Sequence, residues 1–401
     1  MKKYKYKAVN LNGKKFQGTF WAENEKDLRK QLAKQNLYLV SAKITTDKSP
    51  NPFFSVTGKT SVSELSTFAR QFSILIESGM PIVDCIGVLK TQSYTSYFRK
   101  VLEMVHESVK SGKLLSEAMA KHKHAFPPFF VSMVKVGELS GSLDKVLVSV
   151  AEYFESDAKI REKVKGALAY PVFLIIMAIA LVALMTLFVI PTFMEAFESI
   201  DVEMPALTLA LYDFSNFVMA NWQYILLIVV LVVLLFILFL RTKQGRLLWD
   251  AFKFKCPFVR DVVRNTISAR FSRAFSLLVD GSMDIADALD EVVIVIGNKY
   301  VEKQFKKAAE DVRHGMSLSV ALNGYKLFPD MLVQMVSVGE KTGEIGKVLS
   351  RSSSFFEGEV EHSLTTLTGI IQPVILILIG VAVGLLFYAV YAPMISLMSQ
   401  L

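Results

Sequence analysis

The sequence predicts a mostly α-helical integral membrane protein. It comprises two tandem homologous helical-bundle domains, three transmembrane helices and a small N-terminal α+β module. Three observations carry this prediction. The block around Phe130–Tyr153 returns 202 residues later: Met133, Val134, Val136, Gly137, Glu138, Gly141, Lys145, Val146 and Leu147 recur as Met335, Val336, Val338, Gly339, Glu340, Gly343, Lys347, Val348 and Leu349. Apolar residues make up 52% of the chain, with a mean hydropathy of +0.40, high for a soluble protein. Three long apolar stretches are each long enough to cross a bilayer.

The duplication extends well beyond that block. At an offset of 203, Phe68, Arg70, Phe72, Ser73, Leu75, Met80, Ile82 and Asp84 match Phe271, Arg273, Phe275, Ser276, Leu278, Met283, Ile285 and Asp287. Gly112, Leu115, Ser116 and Ala118 match Gly315, Leu318, Ser319 and Ala321. Downstream, Pro171 and Pro191 match Pro373 and Pro393, each pair bracketing an apolar run. A period this long denotes two tandem domains rather than a short-repeat solenoid.

Residues 1–45 form the α+β module: alternating Tyr4, Tyr6 and Ala8, a turn at Asn12-Gly13, a second strand over Phe16–Trp21, a helix over Glu25–Gln35 with Asn24 as cap, and a strand over Leu37–Ile44. Residues 46–62 are a Pro-, Gly- and Ser/Thr-bearing linker. Gly58-Lys59-Thr60 looks like the end of a phosphate-binding loop, but Phe53 stands where the motif needs its first glycine. No nucleotide site is expected.

Residues 63–170 are the first helical domain, with Phe68, Phe72, Leu75 and Ile76 at helical spacing on one buried face. Gly79-Met80-Pro81 breaks the helix; in the second copy Ser282 and Asp284 replace Gly79 and Pro81, with Gly281 adjacent. The first span covers 171–191, an extracytoplasmic loop 192–220 and the second span 221–240. The second helical domain covers 241–369, the third span 370–392, and residues 393–401 are a short outer C-terminus.

Orientation follows from basic residues. Lys159, Arg161, Lys163 and Lys165 precede the first span, and Arg241, Lys243 and Arg246 follow the second. Between Pro191 and Leu240 five carboxylates stand with no Lys or Arg, so the remainder carries +13 against the net +8. The positive-inside rule therefore places both helical domains in the cytoplasm and the C-terminus outside. Basic residues at the span ends suit anionic headgroups rather than nucleic acid. The second span has no counterpart in the repeat and returns the chain to the cytoplasmic side.

The chemistry-bearing residues form no catalytic constellation. His106, His122, His124, His314 and His362 pair with no nucleophile set, and His122 and His124 read as a solvated loop. Cys85 and Cys256 are expected as free thiols. Glu152, Glu155 and Asp157 read as a solvated acidic face, with a cation site as the alternative. Glu138 and Glu340 lie in the GELSG and GEKTG corners. There a glycine would end one helix and Ser140 or Thr342 would cap the next, with a contact to a partner protein as a compatible second role. Arg70 and Arg273, about 200° around the helix from Phe68 and Phe271, are expected to be exposed and to suit a salt bridge or a partner's carboxylate. The spans carry no acidic or basic side chain, which argues against ion transport. Gly380 and Gly384, four apart, form a close-packing signature for helix–helix contact.

Together the two openings FARQFSILIESGMP and FSRAFSLLVDGSMD, the two VGExxG corners and the spans led by Tyr170-Pro171 and Gln372-Pro373 resemble the type II secretion F-domain family. These are inner-membrane platform proteins of type II secretion and type IV pilus machines. The resemblance covers Ser63–Leu397, and the N-terminal module resembles the extra domain many members carry. It implies a non-enzymatic, multi-pass protein of the bacterial inner membrane with a cytoplasmic N-terminus and a periplasmic C-terminus. It also implies coupling of a hexameric cytoplasmic ATPase to the entry of pilin or pseudopilin subunits into a filament. Implied partners are that assembly or retraction ATPase, the pilin subunits, other inner-membrane assembly proteins, the lipid bilayer and a second copy of the chain, with no nucleic acid and no cofactor. Some members' first domain is linked with calcium; no ligand set matches residue by residue here. A component of a transporter or channel is the alternative function.

Overall fold

The computed structural model describes residues 2–10, 15–22, 29, 37–44, 58–189, 191–192 and 206–400. It divides into two units, Met1–Lys59 and Thr60–Leu401. The first unit holds a three-stranded antiparallel sheet of β1 (Lys2–Asn10), β2 (Lys15–Ala22) and β3 (Leu37–Ile44), with β1 central. Tyr4 pairs with Phe20 on one side and Ile44 on the other, and the β1–β3 register shifts between Lys7 and Ala8. The turn at Asn12-Gly13 and, apart from Arg29, the helix expected over Glu25–Gln35 lie outside the described residues, as does most of the linker.

In the second unit the duplication becomes two copies of one helical plan. The first copy runs α1 (Val62–Glu77), α2 (Ile82–Leu89), α3 (Ser96–Lys110), α4 (Leu115–Ala120), α5 (Pro128–Ser140) and α6 (Leu143–Leu184), which continues into a π-helical turn, Met185–Val189. After α7 (Ala206–Arg241) and α8 (Lys243–Lys255), the second copy runs α9 (Arg260–Asp280), α10 (Ile285–Val293), α11 (Lys299–Arg313), α12 (Leu318–Tyr325), α13 (Asp330–Thr342) and α14 (Ile345–Gln400).

Each copy is centred on the phenylalanines of its first helix. Phe68 is fully buried, with ring centroids 5.3 Å from Phe98, 5.7 Å from Phe126 and 6.1 Å from Phe130. Phe271 repeats this role against Phe305 and Phe328, at 5.5 and 4.8 Å. Such tilted and edge-on pairs add to simple area burial because ring edges meet ring faces.

The break after the first helix is solved differently in the two copies. In copy 1, Gly79 takes a left-handed φ of 81° and Pro81 sits just before α2. In copy 2 it is Ser282, not the adjacent Gly281, that goes left-handed, at φ 63°. Asp284 then caps α10 by accepting from the Ala286 N–H at 2.9 Å, so the turn survives both replacements.

The membrane-crossing stretches are not separate elements. Three helices are long and apolar enough to cross a bilayer, and two of them grow directly out of the helical domains. At 42 residues, α6 runs through Pro171, and α14 spans 56 residues through Pro373. At about 1.5 Å per residue these are rods of roughly 60 and 80 Å, about twice or more the hydrocarbon thickness. A proline inside such a helix costs one backbone hydrogen bond. Where α6 ends, the π-helical turn disturbs the regular ladder, and the Ser215 hydroxyl on α7 donates to the Thr186 carbonyl at 2.5 Å. An apolar cleft of about 600 Å³ lies between α6, α7 and α14, with Ile179, Thr186, Val218 and Ile379 on its walls.

Candidate functional site

Glu138 and Arg70 of the first copy engage the elements that correspond to those engaged by Glu340 and Arg273 of the second. Glu138, on α5, reaches the N-terminus of α4. Its carboxylate accepts from the Leu115 N–H at 2.6 Å, the Ser116 N–H at 3.1 Å and the Ser116 hydroxyl. Glu340 does the same for α12, accepting from the Leu318 N–H at 2.5 Å, the Ser319 N–H at 3.1 Å and the Ser319 hydroxyl. The reason is local. Helix starts leave free N–H groups, and neither Leu114 nor Ser317 caps its own helix with a side chain. A carboxylate from the next helix satisfies those donors and complements the positive end of the helix dipole.

The corner itself forms as expected in one respect and differently in another. Gly141 and Gly343 end α5 and α13 in the left-handed conformation, at φ 68° and 71°. Ser140 and Thr342 do not cap the following helix. Their hydroxyls turn back to the Val136 and Val338 carbonyls, at 2.8 and 3.0 Å. Close approach makes the other glycines necessary: a Cβ on Gly137 would lie 3.0 Å from the Leu143 Cα, and one on Gly339 2.9 Å from the Ile345 Cα.

Arg70 and Arg273 are half-buried, not exposed, because the long last helix of each copy lies over them. Arg70 binds Glu155 of α6 through two parallel bonds, at 2.6 and 2.7 Å. The hydrogen bond to Glu155 lifts the Arg70 guanidinium above its ordinary range, against an opposing push from burial. Arg273 donates to Glu357 of α14 at 3.1 Å, and its buried Nε has no partner among the described residues. Glu357 also accepts from Ser156, at 2.6 Å, which ties the last helix of copy 1 to that of copy 2. Sequence reading passed over these pairs although a signal existed: Glu357 stands 202 residues after Glu155, the same offset as the corner block.

The acidic stretch is therefore not a solvated face. Glu152 is exposed and Glu155 is taken by Arg70, while Asp157 is 5% exposed and holds two arginines. Arg161 lies 2.9 Å from its Oδ2, and Arg270, on α9 of the other copy, 2.7 Å from its Oδ1. Among the described residues no group of three His, Cys, Asp or Glu is placed to hold a metal ion. Ser132 to Glu291, at 2.7 Å, and Lys163 to Glu361, at 2.6 Å, complete a polar seam between the copies. His122 is half-buried; burial, aided by the charge of Lys121, holds its imidazole below the ordinary value. Cys85 is a buried free thiol and Cys256 a half-buried one. On α14, Gly380 and Gly384 are exposed, and a Cβ on either would meet nothing within 4 Å.

The sequence is similar to those of known proteins along its full length. The family model described as type II secretion system (T2SS), protein F, matches residues 68–191 and again 271–393, and the model of that protein's N-terminal domain matches residues 1–43. The type II secretion system protein F of Vibrio cholerae serotype O1 is 31% identical over 404 residues, covering 100% of this chain and 98% of its own length. The type IV pilus assembly protein PilC of Myxococcus xanthus is 31% identical over 345 residues, covering 86% of this chain and 82% of its own. PilC of Thermus thermophilus is 29% identical over 401 residues, covering 99% and 98%. The two family matches fall on the two helical copies, each with the apolar helix that leaves it, and the chain belongs to the type II secretion system protein F family.

Proposed function

We propose that this protein is the inner-membrane platform of a type IV pilus assembly or type II secretion machine, coupling a cytoplasmic hexameric ATPase to the movement of pilin or pseudopilin subunits into a filament. The observation that supports this most is mechanical. In both copies the helix that closes the cytoplasmic bundle is the helix that crosses the membrane, without a hinge loop between them. A displacement of either bundle is therefore passed along a continuous rod into the bilayer, where subunits wait. Both bundles lie in the cytoplasm in this reading, with the C-terminus on the far side, and the distribution of basic residues supports that orientation. Glu138, Glu340, Arg70 and Arg273 hold the corners and first helices in the shape that the ATPase meets, and the open glycine face at Gly380 and Gly384 packs against a second copy. No bond-making step is assigned to the chain.

Deletion of the gene and re-introduction of the wild type tests this, scoring sheared surface filaments beside secreted protein. Loss of filaments with stable pilin left in the membrane is expected for a pilus platform, and loss of secretion alone for a secretion platform. Persistence of both, in a strain without a second copy of the gene, would sink the proposal.

A further inference from the structure

Helix α8 has two faces of opposite character, and only one is used inside the protein. Asp250 is buried against copy 2: its carboxylate accepts from the Lys299 N–H at 2.9 Å, and its backbone carbonyl accepts from Asn298 at 3.1 Å. Lys253 neutralises the same carboxylate at 2.7 Å. About 200° around the helix lie Leu248 and Phe252, 59% and 58% exposed, with Trp249 beside them stacked on Phe252 at 5.7 Å. Exposed side chains of this size in a contiguous apolar arc denote a surface that is covered by something.

Four further observations say what covers it. A single residue, Thr242, separates the helix from α7, a membrane-crossing helix that ends at Arg241. The chain folds sharply there: Thr242 donates to the Phe239 carbonyl at 2.7 Å and accepts from the Gly245 N–H at 3.0 Å, and Gly245 has no room for a Cβ against that carbonyl. Trp249 then rests edge-on against Phe236 at 5.6 Å. Phe236 lies five residues inside the end of α7, about 7 Å at 1.5 Å per residue, so the ring sits at the depth of the outermost hydrocarbon. Finally, charge agrees: Arg241, Lys243 and Arg246 are exposed around the fold-back, and the sole carboxylate between Asp213 and Asp261 is the buried, paired Asp250.

We propose that α8 is an interfacial membrane anchor. Leu248, Trp249 and Phe252 are sunk into the headgroup–acyl boundary, and Lys243 and Arg246 meet anionic phospholipid headgroups. The docked face on Asn298 and Lys299 fixes copy 2 directly to the bilayer surface, so that copy is held at a set height rather than swinging from α7. This inference rests on the reading that α7 crosses the membrane.

The test uses the full chain in vesicles of phosphatidylcholine, with or without phosphatidylglycerol, with lipids brominated on the acyl chain. The protein has three tryptophans, so Trp21→Phe with Trp222→Phe reports Trp249 alone, and Trp21→Phe with Trp249→Phe reports Trp222 in α7. Brominated lipid is expected to cut Trp249 emission about twofold while aqueous iodide leaves it unchanged. Phosphatidylglycerol should deepen that quenching, and Lys243→Gln with Arg246→Gln should remove the deepening. Quenching of Trp249 by iodide instead, or protection from both quenchers as under a protein partner, overturns the anchor. Quenching indifferent to phosphatidylglycerol overturns the anionic contact. Loss of lipid quenching at Trp222 as well would place the failure in the membrane-crossing reading of α7.

Discussion

Asp157 and Arg270 form an ion pair at 2.7 Å between the last helix of the first copy and the first helix of the second, and neither is repeated at the matched position of the other copy. The equivalents are Glu359 and Thr67, which cannot form a pair of opposite charges. The duplication made two like units; this pair belongs only to the seam between them. Asp157→Ala leaves the buried Arg270 guanidinium without its carboxylate, which costs about 3 kcal/mol or more, whereas Arg270→Ala leaves Asp157 still paired with Arg161 and costs less. Asp157→Ala and Arg270→Ala are each expected to lower the thermal midpoint of the full chain in detergent. The double variant should lose clearly less than the sum, and additive losses would deny the coupling.

Glu340→Ala removes the acceptor for three donors at the start of α12. Leaving those groups unsatisfied is expected to cost about 1–3 kcal/mol, with Glu138→Ala similar for α4. Glu340→Gln should recover part of the loss, because an amide oxygen still accepts but carries no charge for the helix dipole. Amide hydrogen exchange at Leu318 and Ser319 reads the effect locally; unchanged protection there in Glu340→Ala would count against the cap.

Gly339→Ala sets a methyl group against the Ile345 backbone, nearer than side chains normally come. Overpacking of this kind costs about 1–3 kcal/mol. Gly358→Ala, inside the following helix α14 and with open space at its Cβ, is the control and should be neutral or slightly stabilising. Equal midpoints for the two variants would refute the close-approach argument.

His122 gives a pH dependence of known sign. Its folded-state imidazole is held below the ordinary value, chiefly by burial, so the folded protein favours the neutral form. The stability from this group is present above the unfolded value of about 6.5 and is lost as pH falls through it toward the folded value. Between about pH 7.5 and about pH 5.5 the wild type should therefore lose more stability than His122→Gln. Parallel curves for the two proteins would remove His122 from the account.

Much of the site was legible in the chain and some of it was misread for a definite reason. The angle of about 200° from Phe68 and Phe271 puts Arg70 and Arg273 on the far face of their helices and predicts exposure there. That inference considers one helix alone. A second helix, α6 or α14, lies over that face, and its carboxylates come from 85 and 84 residues away. The same holds for Asp157: Arg161 is only four residues on, but Arg270 comes from 113 residues away, on the first helix of the other copy.

By itself, the sequence determined the duplication, the helical plan of each copy, the three membrane-crossing stretches and the glycine corners. All of these depend on periodicity, length and backbone freedom, which are properties of neighbouring residues. Tertiary structure alone decided which carboxylate serves which arginine, that Glu138 and Glu340 cap helices other than their own, and that Ser282 rather than Gly281 takes the left-handed turn. It also decided which face of α8 is buried against copy 2 and which is left exposed. Those outcomes depend on where helices cross, and a crossing is fixed by packing of side chains far apart in the chain.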